Sequence, residues 1–172
     1  MREGGVVVLF APRRAVDAHG APLSERKTTQ LRRRLHLLGE SLESGQVWDI
    51  CQVIRAARTL PRVEGLPIEV MARGTMAANA LYASLFVPGI ARLDLAGMPA
   101  SHRDGPIYLN VLRHLDLPQA MAMAAERSEV SLATSSPTQW DSATQTVRAM
   151  KWGAEKLRFV AEPATPERID GR

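Results

Sequence analysis

Residues 67–86, PIEVMARGTMAANALYASLF, read as a short apolar strand, a tight turn at residues 72–75 and a helix that starts at once. A strand-to-helix turn this compact can hold a nucleophilic hydroxyl at its apex. The apex here is Gly74, between Arg73 and Thr75. Glycine enters the positive-φ region without steric cost, so the backbone of such a turn can persist while its chemistry is gone. Thr75 does carry a hydroxyl. A β-branched residue is disfavoured at positive φ, and Thr75 is better placed as the helix N-cap, its oxygen accepting from a first-turn N–H.

A second polar group is SHRDGP, residues 101–106. Ser101, His102, Arg103 and Asp104 together suit anion binding or acid–base chemistry. A serine and histidine adjacent in sequence rarely point at each other, so no Ser101–His102 dyad is expected. The competing reading is a loop ordered by its own hydrogen bonds, with Asp104-Gly105 turning before Pro106. A third group follows EVSLAT: Ser135, Ser136 and, after PTQW, Asp141. Asp141 fits a helix start, where a carboxylate suits the dipole.

Other chemistry is thin. The four histidines, His19, His36, His102 and His114, show no i, i+4 pairing and no acid at metal-ligand spacing, so no metal site is expected. His36 reads as a packing residue on an apolar helix, and His114 as a helix-end residue meeting terminal carbonyls. Cys51 is alone, which excludes an intrachain disulfide and a cysteine metal site. Its context, VWDICQVI, is that of a buried structural thiol. RGTMAA has one glycine where a dinucleotide fingerprint needs three, and no phosphate-loop lysine follows, so no cofactor is expected. Met71, Met76, Met98, Met121, Met123 and Met150 read as gap-filling core or interface residues.

The elements that must position these groups alternate. VVVLFA, residues 6–11, is a short β-branched apolar run of the kind buried on both faces of a sheet. A polar stretch leads to helices near 28–39 and 46–60. In the second, Val47, Ile50, Val53, Ile54 and Ala57 form one stripe at helical spacing. Strands follow at IEVMA, IARLDLAG, EVSLAT and KLRFVAE, separated by helices near 76–86, 117–126 and 141–151, with another short one in IYLNVLRHL. Strands alternating with helices of these lengths predict a three-layer α/β/α fold with a mostly parallel sheet of about five strands. Residues 1–161 form one domain on this reading, and residues 162–172, which include PATPERIDGR, close the chain as a loose tail. Ligand sites in such sheets lie beyond the carboxyl ends of the strands, where the turn at Gly74, the loop at 101–106 and the Ser135–Ser136 loop all fall.

The order of elements, and the phrases FAPRR, TTQLRRRLHLLGESLESGQVWDICQVIRAARTLP, SHRDGPIYLNVLRHLDLPQA and EVSLATSSPTQW, resemble the C-terminal half of bacterial α/β-hydrolase-fold proteins. The similar proteins are of the acetyl-xylan-esterase-like or prolyl-oligopeptidase-like kind, and the resemblance spans residues 5–161. It implies that residues 6–11 are that fold's fourth strand and that IEVMA leads to its nucleophile elbow. The usual first strands, and the early loop that supplies one oxyanion-hole N–H, are then missing. The elbow pattern G-x-S-x-G falls on Ala72, Gly74 and Met76, so the nucleophile position is glycine. The family's acid follows the strand matched by EVSLAT, where Ser135 and Ser136 stand. Its histidine follows the last strand, and no histidine comes after residue 160. With serine, acid and histidine all departing, the resemblance implies a degenerate hydrolase-like half domain with a structural, binding or pseudoenzyme role. An active esterase on acetylated carbohydrate or similar esters, truncated here, is the alternative.

Composition bounds the rest. The chain has 172 residues, 45% hydrophobic, which suits one globular domain. No apolar run approaches the roughly 20 residues that span a bilayer. The N-terminal apolar run is shorter than a signal-peptide core and lacks a cleavage site. The chain as given reads as cytoplasmic, or as secreted or periplasmic if an upstream segment precedes it. The net charge of +4 is almost all arginine. Arg32, Arg33 and Arg34 are consecutive and fan over about 200° of a helix, a weaker fit to nucleic acid than to a solvated helix start. A half fold leaves a sheet edge open, so a homodimer or a partner chain covering that edge is expected. A small ester or carbohydrate is the ligand class that the resemblance suggests.

Overall fold

The computed structural model describes residues 5–13 and 24–162. Two helices open the chain, α1 (Glu25–Leu37) and α2 (Leu42–Arg58). Then β1 (Ile68–Arg73), α3 (Thr75–Phe86), β2 (Ile90–Ala96), α4 (Leu117–Arg127), β3 (Glu129–Ala133), α5 (Asp141–Ala149) and β4 (Leu157–Val160) alternate. The four strands make one parallel sheet in the order β1-β2-β3-β4. Helices pack around it, giving the expected α/β architecture with four strands rather than five.

The missing strand is VVVLFA. Residues 6–11 form no strand, and Val7 and Leu9 are 80% and 94% exposed. β-Branched composition signals fit to a pleated, half-buried surface, not pairing itself. Pairing needs a neighbouring strand in register, and β1 bonds only β2 among the described residues. What fixes this segment is its far end. Pro12 is buried, and Arg13 donates to the Asp49 carboxylate on α2 through its backbone N–H at 2.9 Å and through Nε at 2.8 Å.

Local signals account for the helix starts. Ser41 and Ser44 exchange side-chain and backbone bonds in a capping box before α2. Asp116 and Gln119 do the same before α4, with Pro118 in the first turn, where its missing N–H costs nothing. At the centre lies α3. Ala77, Ala78, Ala80 and Ala83 are all at most 2% exposed, and their small side chains let the helix approach β1 and β2 closely.

The strands alternate between a core row and an outer row. An irregularity at the start of β1 and β2 puts both Ile90 and Leu93 in the core, and Ala96 and Ala133 are buried on the outer row. Val70, Leu93, Leu95, Val130, Leu132 and Phe159 belong to or pack against the core cluster with α2, α3, α4 and α5. The other row includes Met71, Arg73, Asp94, Ser131 and Arg158 and lies outside that cluster. α1 buries no residue, and His36, expected to pack, is exposed. No helix among the described residues is long and apolar enough to cross a membrane.

The alternation makes the two rows energetically unequal. Leu132→Ala and Met121→Ala, both at 0% exposure, should each lower unfolding free energy by about 2–5 kcal/mol. Met71→Ala, at 76% exposure, should stay within about 0.5 kcal/mol. Urea unfolding curves check all three.

Candidate functional site

Gly74 adopts φ +58° and ψ −135°, the positive-φ turn anticipated for it. Its N–H donates to the Ala96 carbonyl at 2.8 Å, and its own carbonyl accepts from the Ala77 N–H at 3.0 Å. One residue therefore ends the ladder with β2 and begins α3. A Cβ built on Gly74 would meet nothing within 4 Å. Space alone would not bar a side chain here; the backbone angle disfavours one. Thr75 is exposed and is the first helical residue, not the cap. Gly74 occupies the cap position, and no side chain caps the helix. The turn is too tight to leave a residue between Gly74 and the first helical turn, so the Thr75 oxygen cannot reach back to it.

Arg73 and Met71 line a shallow depression of about 490 Å³ with Asp94, Ala96 and Ser131. It runs across the carboxyl-end half of the sheet on the row outside the core. Arg92 and Asp94 pair on this row, Nε to Oδ1 at 2.9 Å. The expected acid positions contribute little. Ser135 is exposed, the Ser136 N–H donates to Thr134 Oγ1 at 3.1 Å, and Asp141 is exposed in the first turn of α5. None of the three is hydrogen-bonded to Gly74 or to the 101–106 loop.

That loop is held tightly, and from outside itself as well as within. Ser101 Oγ donates to Asp116 Oδ2 at 2.7 Å, and the His102 N–H to Asp116 Oδ1 at 2.7 Å. The Arg103 N–H donates to Ser101 Oγ, and the Asp104 and Gly105 N–H groups close turns onto Ser101 and His102. Arg103 and Asp104 point their exposure to solvent. His102 is buried, with Nδ1 2.8 Å from the Pro106 carbonyl and Nε2 2.7 Å from the Tyr82 hydroxyl. A carbonyl only accepts, so the network assigns the proton to Nδ1 and makes Nε2 the acceptor for Tyr82 O–H. Both ring nitrogens are thereby occupied. Tyr82, His102 and Tyr108 also meet as rings, with centroids 4.8–5.4 Å apart.

From Tyr108 a polar chain runs on. Its hydroxyl donates to Asn79 Oδ1 at 2.6 Å, and Asn79 Nδ2 donates to Gln46 Oε1 at 2.9 Å. Burial pushes the Tyr82 and Tyr108 hydroxyls well above the usual phenol range, so both remain protonated donors. Burial also pushes the Cys51 thiol up, which suits a structural residue rather than a nucleophile. Glu43 is 1% exposed and pairs with Arg32 at 2.5 Å. One member of the arginine run is thus committed to α2.

Sequence reasoning named His102 and Ser101 but missed Asp116, Tyr82, Tyr108, Asn79 and Gln46. The D-x-x-Q spacing at Asp116–Gln119 was available as a cap signal. Asn79 amid alanines was a buried-polar signal. Nothing in sequence spacing links Tyr82 to His102. Among the described residues no three His, Cys, Asp or Glu converge as metal ligands. A cavity of about 240 Å³ adjoins His102, lined by Pro106, Tyr108, Asn110 and Arg113. No family model, curated protein or solved structure matches the chain.

Asp116 makes this loop sensitive to acid. Partial burial pushes its carboxyl up, but bonds from Ser101, the His102 N–H and the Leu117 N–H outweigh that and hold it below the ordinary range. A carboxyl depressed in the folded state stabilises the protein above its unfolded value, about 4, and loses that contribution as pH falls through the folded value. Asp116→Asn should therefore flatten the acid limb of the stability curve, measured by urea unfolding from neutral pH down to about 3. Tyr82→Phe leaves the buried His102 Nε2 without its donor and should cost about 1–3 kcal/mol in the same assay.

Proposed function

We propose that this chain is a hydrolase-like α/β domain without serine-hydrolase chemistry, acting as a binding or structural unit that associates through its open sheet. The observation that carries the reading is Gly74. Its φ of +58° and ψ of −135° are those of a strained elbow apex, and the residue there has no side chain. The same backbone that would expose a nucleophile is retained with the nucleophile absent. The rest of the site agrees. His102 spends both nitrogens on Pro106 and Tyr82, and Ser135 and Ser136 offer no carboxylate after β3. A relay needs a nucleophile hydrogen-bonded to a base that is oriented by an acid, and no such triple exists among the described residues.

Association is supported by the sheet itself. A parallel sheet is normally covered on both faces, whereas the row carrying Met71, Arg73 and Arg158 lies outside the core. The ligand class suggested by the resemblance, a small ester or carbohydrate, would bind without turnover in the depression beside Arg73.

Hydrolysis of a small activated acetate ester tests the reading. The wild-type chain should release product no faster than buffer. Gly74→Ser restores a hydroxyl at a strained position, should lose about 1–3 kcal/mol of stability, and should remain inactive. Wild-type turnover that His102→Ala abolishes would establish the esterase alternative instead.

A further inference from the structure

We infer that the cavity beside His102 is a binding site for a small amphipathic carboxylate, a short apolar body with one anionic head, and that Arg113 holds the head. The inference goes beyond the non-catalytic reading and does not rest on it. The cavity measures about 240 Å³. At about 30 Å³ per molecule of liquid water, that is room for a chain the length of octanoate with its carboxylate at the rim. Burial sets the orientation. Pro106 and His102 are buried and form the floor, whereas Ile107, Leu112 and Arg113 are exposed at the mouth.

The floor looks polar by residue type but offers carbon. His102 commits Nδ1 to the Pro106 carbonyl and Nε2 to the Tyr82 hydroxyl, and Tyr108 commits its hydroxyl to Asn79. Their rings therefore add carbon surface to that of Pro106, Ile107, Val111 and Leu112. A carbohydrate seated there would leave buried hydroxyls without partners, whereas an apolar body gains by leaving water. The lining side chains that still offer polar groups are Asn110 and Arg113. Arg113 ends the short 3-10 turn Val111–Arg113. Its guanidinium is always charged, and its planar fork matches a carboxylate. The acid closest to it in sequence, Asp116, is spent on the Ser101 hydroxyl and the His102 and Leu117 N–H groups. Asn110 adds an amide donor. One cation beside apolar walls suits a singly charged head on an apolar body. The site is also preformed. The Arg113 N–H donates to the Asn110 carbonyl and the Leu115 N–H to the Val111 carbonyl, both at 3.0 Å, while Asn79 and Tyr82 tie the same segment to α3. Walls already ordered lower the entropic cost of binding.

Calorimetric titration of the full chain with sodium octanoate tests the site, with octan-1-ol as the neutral probe. Octanoate should bind saturably, with a dissociation constant below about 1 mM. Arg113→Gln removes the cation at an exposed position and should raise that constant about tenfold. The same variant should leave octan-1-ol binding within about twofold of wild type. Leu112→Asn, also at an exposed position, should weaken both probes, because both lose the same apolar wall. Absence of saturable octanoate binding overturns the inference. So does octanoate binding that Arg113→Gln leaves unchanged, or that Arg73→Gln weakens in its place, which would seat the anion in the sheet depression. Ester hydrolysis is read separately. Turnover with octanoate bound through Arg113 ends the non-catalytic reading and leaves this site standing, whereas a chain with neither turnover nor octanoate binding does the reverse.

Discussion

The turn at Gly74 is the constraint on which the rest of the structure depends. β1 passes into α3 without an intervening loop, and only a residue at positive φ makes that turn. The immediacy of the turn drives α3 onto the sheet, and the alanines at 77, 78, 80 and 83 are the residues that fit at that distance. α3 then becomes the pillar of the core, touching β1, β2, α2 and α4. Asn79 and Tyr82 are carried inward by the same geometry. Both must find hydrogen-bond partners because they are buried, and the partners they find, Gln46, Tyr108 and His102, tie in α2 and the loop after β2. A backbone conformation at one residue thus determines where the polar interior lies.

Much of this was legible in the sequence because it rests on local signals. Strand, turn and helix at residues 68–86 follow from an apolar β run, a glycine and an alanine-rich segment, and β2, α4, β3, α5 and β4 follow from similar cues. The positive φ at Gly74 follows from a glycine standing where strand passes directly into helix. The errors share one cause, which is that pairing and capping depend on what stands nearby. Residues 6–11 have strand composition but pair with no strand among the described residues. Thr75 has a capping side chain but stands one position too late. His36 falls outside the half-buried face of its helix, which consists of Thr28, Leu31, Arg32 and Leu35. The tight network at His102 was illegible because Tyr82 lies on α3 and Asp116 at the start of α4, and both meet the loop of His102 and Pro106 only in the fold.

The two surfaces of the sheet carry different messages about function. The core row is apolar and complete. The outer row pairs Arg92 with Asp94 and leaves Met71, Arg73 and Arg158 toward solvent. A parallel sheet exposed along one row keeps the carboxyl ends of its strands accessible, the region where α/β proteins place ligands. The groups present there are the Arg73 guanidinium, the Met71 thioether, the Asp94 carboxylate held by Arg92, and small side chains around a shallow depression. The Arg73 guanidinium there suits an anion, while the Asp94 carboxylate is engaged by Arg92.

His102 sharpens the distinction between a residue that looks catalytic and one that could be. A general base needs a lone pair facing the substrate and freedom to accept a proton. The His102 lone pair faces the Tyr82 hydroxyl, which burial keeps protonated. The opposite nitrogen is fixed by the Pro106 carbonyl. For His102 to act on anything in the adjoining cavity, Tyr82 would have to leave its own buried position on α3. That would strip a polar atom of its partner inside the core and open the packing of the central helix at once. The interactions that order this loop are the ones that silence its histidine, and the polar chain through Asn79 and Gln46 is best understood as the means by which the end of α3 is locked in place.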